Sequence, residues 1–145
     1  MIREAEAHDT AALYRLYRML LPNSRQLNVV EERIIEIRNN TNNFIFVYEE
    51  NNELLGTLTL TICLEALHGS MSYGVIENVV VDESTRGNGI GKKLMDHAED
   101  YCRRIKCSKL MLLSSSQRER AHQFFESVGY DQTVSKAFKK YLRYE

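Results

Sequence analysis

The residues whose types and spacing point most directly to chemistry are Arg86, Gly87, Asn88, Gly89, Ile90 and Gly91, which follow the apolar run Val79-Val80-Val81. The three glycines free the main chain to take turn conformations and let a ligand come close to it. Residues 92–106 then carry a helical period. A turn that runs from a strand into a helix aims several N–H groups at one spot, at the positive end of the helix, and that is a setting for phosphate. No Gly-Lys-Ser or Gly-Lys-Thr ends the turn, so it is not a Walker A loop, and it holds Gly-x-Gly without the last glycine of a dinucleotide fingerprint. An ordinary glycine-rich turn capping a helix is the plainer alternative.

Glu77 is the sharpest side-chain candidate. Counted by twos along an extended chain, Tyr73, Val75, Glu77, Val79 and Val81 share one face, and apart from Glu77 that face is apolar. Burying a carboxylate alone is costly, so Glu77 belongs at a cleft or beside a partner. Desolvation would raise its pKa toward the range useful to a general base. A structural glutamate bound to a Lys, an Arg or a backbone amide fits the same pattern equally well.

Composition narrows the classes. The chain has 145 residues, enough for one domain over 1–145, and its 43% hydrophobic content supports a core. A net charge of -1 argues against nucleic acid as a partner, which calls for a basic face. No apolar run approaches the roughly 20 residues of a membrane span. The first residues, Met1 to Glu6, are acidic and polar, unlike a signal peptide. Cys63, Cys102 and Cys107 are odd in number and lack metal-ligand spacing, and His8, His68, His97 and His122 are scattered. The expectation is a cytoplasmic protein with reduced cysteines, no metal, no nucleic acid and no membrane.

These candidates need elements to position them. Ile2 to Ala5 reads as a short strand. Asp9 and Thr10 are N-cap types ahead of Leu13, Leu16, Tyr17 and Leu20, and Val30, Ile34 and Ile37 mark a second helix. Phe44 to Tyr48 reads as a central strand, with Asn51-Asn52 as a hairpin turn. Leu58, Leu60, Ile62 and Leu64 alternate with Thr57, Thr59, Thr61 and Cys63 in a long half-buried strand. After the turn at His68-Gly69-Ser70, residues 73–81 form the strand that leads into the glycines. The next helix is expected to bury Ile90, Leu94, Ala98, Tyr101, Cys102 and Ile105. A strand follows at 109–114. Ser116-x-x-Glu119 has a capping-box pattern, Gly129 is placed to end that last helix, and residues 130–141 fit a final strand pair. The order βααβββαβαββ is an α+β arrangement, a mixed, mostly antiparallel sheet flanked by helices.

Arg86, Gly89 and Gly91 meet the pattern Arg/Gln-x-x-Gly-x-Gly/Ala. With the element order, this makes the chain resemble the GCN5-related N-acetyltransferases, the GNAT family, over nearly its whole length. The resemblance implies acetyl-CoA as co-substrate, with its pantetheine arm between the strands at 73–81 and 109–114. Main-chain groups at Val79, Val80 and Val81 would pair with the pantetheine amides, and one N–H there would polarise the thioester carbonyl. The amides of Gly87, Asn88, Gly89, Ile90, Gly91 and Lys92 would cradle the diphosphate, with Arg86 stabilising the turn or meeting a phosphate. Glu77 falls where many family members carry a general base. The phrase Phe124-Phe125-Glu126-Ser127-Val128-Gly129-Tyr130 departs from the family, which usually has tyrosine where Phe125 stands. A thiolate is a tolerable leaving group, and Tyr130 or Tyr73 could supply the acid from elsewhere, although a core aromatic is the plainer role for Tyr130. Arg118 stands where the family often has asparagine, and His122 fits a packed or backbone-bonded histidine. The implied function is N-acetylation of a primary amine of a small molecule. A catalytically weak CoA-sensing module and a peptide N-terminal acetyltransferase are the alternatives, and a homodimer is compatible with the resemblance.

Overall fold

A computed structural model describes residues 1–144, which fall into two compact units, Met1–Leu112 and the residues from Leu113 on. The first unit holds β1 (Ile2–Glu4), α1 (Thr10–Leu20), α2 (Glu31–Arg38), β2 (Asn43–Glu50), β3 (Glu53–Leu64), β4 (Ser72–Val81), α3 (Ile90–Arg104) and β5 (Leu110–Leu112). The strands make one sheet in the order β1-β2-β3-β4-β5. The first four pair antiparallel, and β5 runs parallel to β4. Asn51 and Asn52 close the β2–β3 hairpin with φ of 52° and 65°, the left-handed values a two-residue hairpin loop requires.

Each face of the sheet is covered by helix. On one side Leu13 and Leu16 of α1 are fully buried and cluster with Ile34, Ile45, Val47, Leu54 and Val80. On the other, α3 buries Ile90, Leu94, Met95, Ala98 and Cys102. Two glycines let α3 come close. A Cβ on Gly56 would lie 3.0 Å from side-chain atoms of both Ile90 and Leu94, and one on Gly74 would lie 2.6 Å from Leu110 Cδ2 and 3.0 Å from Cys102 Sγ. Phe44 and Phe46 meet Tyr101 and His97 with ring centroids 4.7 and 4.6 Å apart, and burial lowers the His97 pKa.

The sequence pattern misplaces some residues. Met95 joins the buried stripe, while Ile105 is 41% exposed because it lies just past the end of α3. Thr57, expected on the wetter face of β3, is fully buried, and its hydroxyl donates to the Phe46 carbonyl. Asp9 does not cap α1 with its side chain. Instead it accepts two bonds from Arg3, at 2.7 and 2.9 Å, and one from the Glu6 N–H.

The largest departure is in β4. Thr57 pairs with Val80 and Thr59 with Glu77, so Asn78 and Val79 together stand opposite the one residue Leu58. This is a β-bulge, and Asn78 adopts φ 55° to make it. Alternation breaks there. Glu77 shares a face with Thr59 and Ile45, the α1 side, and Val80 continues that face in place of Val79. Val81 pairs with Gly56 on the α3 side. Tyr73, Val75 and Glu77 therefore share a face, as counted, but Val81 does not join them.

The second unit contains α4 (Glu119–Ser127). Gly129 ends it at φ 103°, with its N–H bonded to the Glu126 carbonyl and the Tyr130 N–H to that of Phe125, each at 3.0 Å. That pair of bonds is a Schellman motif. The capping box does not form, because the helix starts later, with Arg118 as N-cap and no side-chain cap bond. Among the described residues, 130–144 form no strand. Val134, Phe138, Tyr141, Leu142 and Tyr144 are between 69% and 91% exposed, so no neighbour buries the apolar side that a half-buried strand would need.

Candidate active site

The site grows out of the end of β4. Pairing with β5 covers Gly74, Val75 and Ile76 opposite Leu110, Met111 and Leu112, and stops there. β4 continues through Glu77 to Val81 with β3 on one side only. This stretch leaves main-chain N–H and C=O groups of Val79, Val80 and Val81 along an edge with no neighbouring strand among the described residues. An extended ligand carrying amides can add to such an edge as a strand would. The bulge at Asn78 turns the edge just where β5 departs, and bulges re-aim backbone in this way beside functional sites. Val79 and Val80 have buried side chains, so these valines pack while their backbones face the opening.

β4 passes through a short 3-10 turn, Glu83–Thr85, into the glycines. Gly87 and Gly89 take φ of 88° and 78°, conformations that favour glycine, and a Cβ on either would meet nothing within 4 Å. The glycines are therefore required by the backbone conformation, and open space lies above them. Gly89 is the N-cap of α3, so the free N–H groups of the helix's first turn point into that space. Ile90 anchors the turn from below, 4% exposed beneath the sheet-facing side of α3. Gly91 is half-buried and Asn88 exposed. A diphosphate fits this arrangement of open space, positive helix end and available amides.

The basic side chains of the turn are already engaged. Arg86 donates from Nε to the Val81 carbonyl at 3.4 Å, joining the turn to the end of β4. Lys92 reaches along the helix to Asp96 at 2.7 Å, and that hydrogen bond raises its pKa. Lys93 lies over the Tyr48 ring at 5.6 Å.

Glu77 sits one residue past the last β4–β5 pair and is exposed. Its expected burial is absent, because the bulge and the departure of β5 leave this part of the sheet open. Its carbonyl accepts from the Thr59 hydroxyl at 3.0 Å, and among the described residues no ion pair takes its carboxylate. Tyr73 lies near the start of the same strand, where a hydrogen bond with Cys63 raises its pKa. In the second unit, Tyr130 closes the helix-ending motif through its backbone, and its hydroxyl oxygen is buried. Phe125 is 6% exposed, and His122 Nε2 bonds the Ser115 carbonyl at 2.8 Å, a backbone-bonded histidine.

Two residues escaped the sequence reading. Asp82 is buried and accepts at Oδ1 from the Ser84 N–H and hydroxyl, at 2.9 and 2.8 Å. Its Oδ2 accepts from Arg15 at 2.5 Å. Arg15, then Ser84, hold the Asp82 carboxyl down at about 2. The signal was present in Asp82-x-Ser84, an Asx-type turn opener, but Arg15 lies far away in sequence.

The chain as a whole is similar to known proteins. The family model described as "Acetyltransferase (GNAT) family" matches residues 10–130. A glucosamine 6-phosphate N-acetyltransferase of Trypanosoma brucei brucei is 34% identical over 86 residues, 59% of this chain and 56% of that protein, so the match spans little more than half of the relative's length. An aminoalkylphosphonate N-acetyltransferase of Salmonella typhimurium is 27% identical over 132 residues, 91% of this chain and 85% of its own. The crystal structure of glucosamine-6-phosphate N-acetyltransferase from Arabidopsis thaliana superposes with a TM-score of 0.84 at 28% identity, covering 99% of this chain and 98% of that one.

Proposed function

Because the chain belongs to the GNAT family of acetyltransferases, we propose that it is an acetyl-CoA-dependent N-acetyltransferase acting on a primary amine of a small molecule. The observation that carries this reading is the lone stretch of β4 beyond Ile76, leading straight into the turn above the N-terminus of α3. The named relatives support a small amine, since their acceptors are glucosamine 6-phosphate and aminoalkylphosphonates.

The donor supplies an activated acetyl group as a thioester. Backbone groups of Val79, Val80 and Val81 bind its amide-bearing arm. An N–H in this stretch holds the carbonyl oxygen as it gains negative charge, a role whose loss typically slows such reactions by about 10²–10³. The amides of Gly87, Asn88, Gly89, Ile90, Gly91 and Lys92 hold the diphosphate, and Arg86 keeps the turn joined to β4. The neutral amine attacks the carbonyl carbon directly in a ternary complex. The N–C bond forms, the C–S bond breaks, and the amine proton passes to the Glu77 carboxylate, directly or through water. Exposure of Glu77 keeps it in contact with such a water. The thiolate is a tolerable leaving group and takes its proton from water, since Phe125 has no proton to give.

Phe125 also favours a second reading, a protein that keeps the donor site but turns over slowly and reports on CoA. One experiment separates the two. Free thiol is followed with acetyl-CoA and a panel of small amines, amino sugar phosphates, aminoalkylphosphonates, polyamines, amino acids and short peptides, with Glu77→Gln beside the wild type. Selective turnover that falls at least tenfold in the mutant is expected. Turnover unchanged by the mutation removes Glu77 from its role. Tight acetyl-CoA binding without turnover on any amine favours the sensing module.

A further inference from the structure

Besides Arg86 and Ile90, the donor turn is held from the segment before it. Asp82 gathers the bonds of the segment that precedes the glycines. Its carboxylate accepts from the Ser84 N–H and hydroxyl, and its carbonyl accepts from the Thr85 N–H at 3.0 Å and the Thr85 hydroxyl at 3.1 Å. Its own N–H donates to the Leu55 carbonyl at 2.8 Å, fixing it to β3. The remaining carboxylate oxygen takes Arg15, whose other nitrogen donates to the Leu54 carbonyl at 2.7 Å. Arg15 thus clamps Asp82 from α1 while gripping the start of β3. Gly87 and Gly89 have no neighbour within 4 Å of where a Cβ would stand. The open part of the turn is thus placed by the 82–85 segment behind it together with Arg86 and the buried Ile90.

We propose that Arg15 and Asp82 are positioning residues for the donor's diphosphate, acting through the 82–85 turn without touching the ligand themselves. The proposal rests on the reading of the glycine turn as the diphosphate site. The geometry is suited to the task, since the guanidinium bridges a carboxylate and a carbonyl at once and so fixes direction as well as distance. The pair lines a polar cavity of about 480 Å³ together with Arg3, His8, Asp9 and Glu49. The Arg15 side chain is 44% exposed there and that of Asp82 12%, so Arg15 can be replaced with little disturbance of the core.

The test compares two donors that differ in the part the turn holds. Acetyl-CoA carries the diphosphate, and S-acetylpantetheine lacks it. Dissociation constants of both are measured for the wild type, Arg15→Met, Arg15→Lys and Ser84→Ala, with a ligand-free thermal melt of each as a check on folding. Losing both guanidinium bonds at the anchor, to Asp82 and to the Leu54 carbonyl, is expected to weaken acetyl-CoA binding roughly tenfold in Arg15→Met. A smaller loss of about two- to threefold is expected in Ser84→Ala, with partial recovery in Arg15→Lys. Binding of S-acetylpantetheine stays as in the wild type. Equal weakening of both donors would show a merely structural role and overturn the proposal, as would unchanged acetyl-CoA binding in both Arg15→Met and Ser84→Ala. A wild type that binds both donors equally overturns the diphosphate site itself, and the proposal falls with it. That outcome is read before any mutant is compared.

Discussion

Replacing Gly89 separates two reasons for its presence. The residue is the N-cap of α3 with φ 78° and ψ 9°. An L-residue in that conformation carries a penalty of roughly 1–2 kcal/mol, which asparagine escapes in part. A Cβ there meets nothing within 4 Å, so no steric clash adds to the conformational term. For a chain of this size, about 1 kcal/mol moves Tm by roughly 2–4 °C. Gly89→Ala should therefore lower Tm by about 2–8 °C, and Gly89→Asn should lower it by less. Ligand binding responds to a different property. Both substitutions put a Cβ into the space where the diphosphate would approach the amides, so both should weaken acetyl-CoA binding by about tenfold or more. Differential scanning fluorimetry without ligand and calorimetric titration with acetyl-CoA give the two quantities separately. Asparagine restoring both wild-type melting and wild-type affinity would refute close approach and leave glycine needed only for its φ. Alanine melting like the wild type would refute the strain argument.

Three further outcomes follow from the geometry. Gly74→Ala places a methyl 2.6 Å from Leu110 Cδ2 and 3.0 Å from Cys102 Sγ. It should destabilise the fold by about 1–3 kcal/mol in urea unfolding, while acetyl-CoA affinity per folded molecule stays within about twofold. Lys92→Ala should leave acetyl-CoA affinity within roughly threefold by titration, because its ammonium is held by Asp96 and the site uses its amide. Asp82 has its pKa lowered from 3.8 to about 2, chiefly by Arg15. A depressed carboxyl contributes stability that is present above its unfolded value and is lost as pH falls through its folded value. The stability difference between wild type and Asp82→Asn, followed by urea unfolding, should therefore shrink between about pH 4 and pH 2. A difference that stays constant across that window would contradict the assigned interaction.

How far the sequence reached depends on whether each feature is local. Gly87, Gly89 and Gly129 were legible because a left-handed φ leaves its mark on residue type, and all three take positive φ. The Asn51-Asn52 hairpin was legible for the same reason. The bulge was not. Asn78 also has a left-handed φ, but a single asparagine in a β-rich run gives no warning of an extra residue, and counting by twos carried Val81 to the wrong face. Burial of Glu77 failed for a related reason. Its face is apolar in sequence, but whether anything covers that stretch depends on where β5 stops pairing, a fact about a strand far along the chain. Arg15 is the extreme case, with its partners Asp82 and Leu54 separated from it by 67 and 39 positions. The final strand pair was read from β-prone residue types, yet residues 130–144 form no strand and leave their large apolar side chains exposed.

A donor site built from main chain makes few demands on side chains. In the proposed site Val79, Val80 and Val81 would present backbone and the glycines amides, and among the described residues the left-handed φ values along that stretch are those of Asn78, Gly87 and Gly89. Much of the surrounding sequence can then change without disturbing the donor, and a TM-score of 0.84 at 28% identity accords with that. The acceptor is in a different position. With Glu77 as the proposed base, the acceptor's contacts would come from side chains on the open face around Glu77, where Thr59 and Thr61 are half-buried and bonded to the Glu77 carbonyl and Asn43. On the proposed function, donor chemistry and acceptor choice would be carried by different parts of the chain. Substitutions at Thr59 or Thr61 should shift which amine is acetylated while leaving the acetyl-CoA dissociation constant within about twofold. A change in acetyl-CoA affinity as large as the change in acceptor preference would mean that the two sites are not separable.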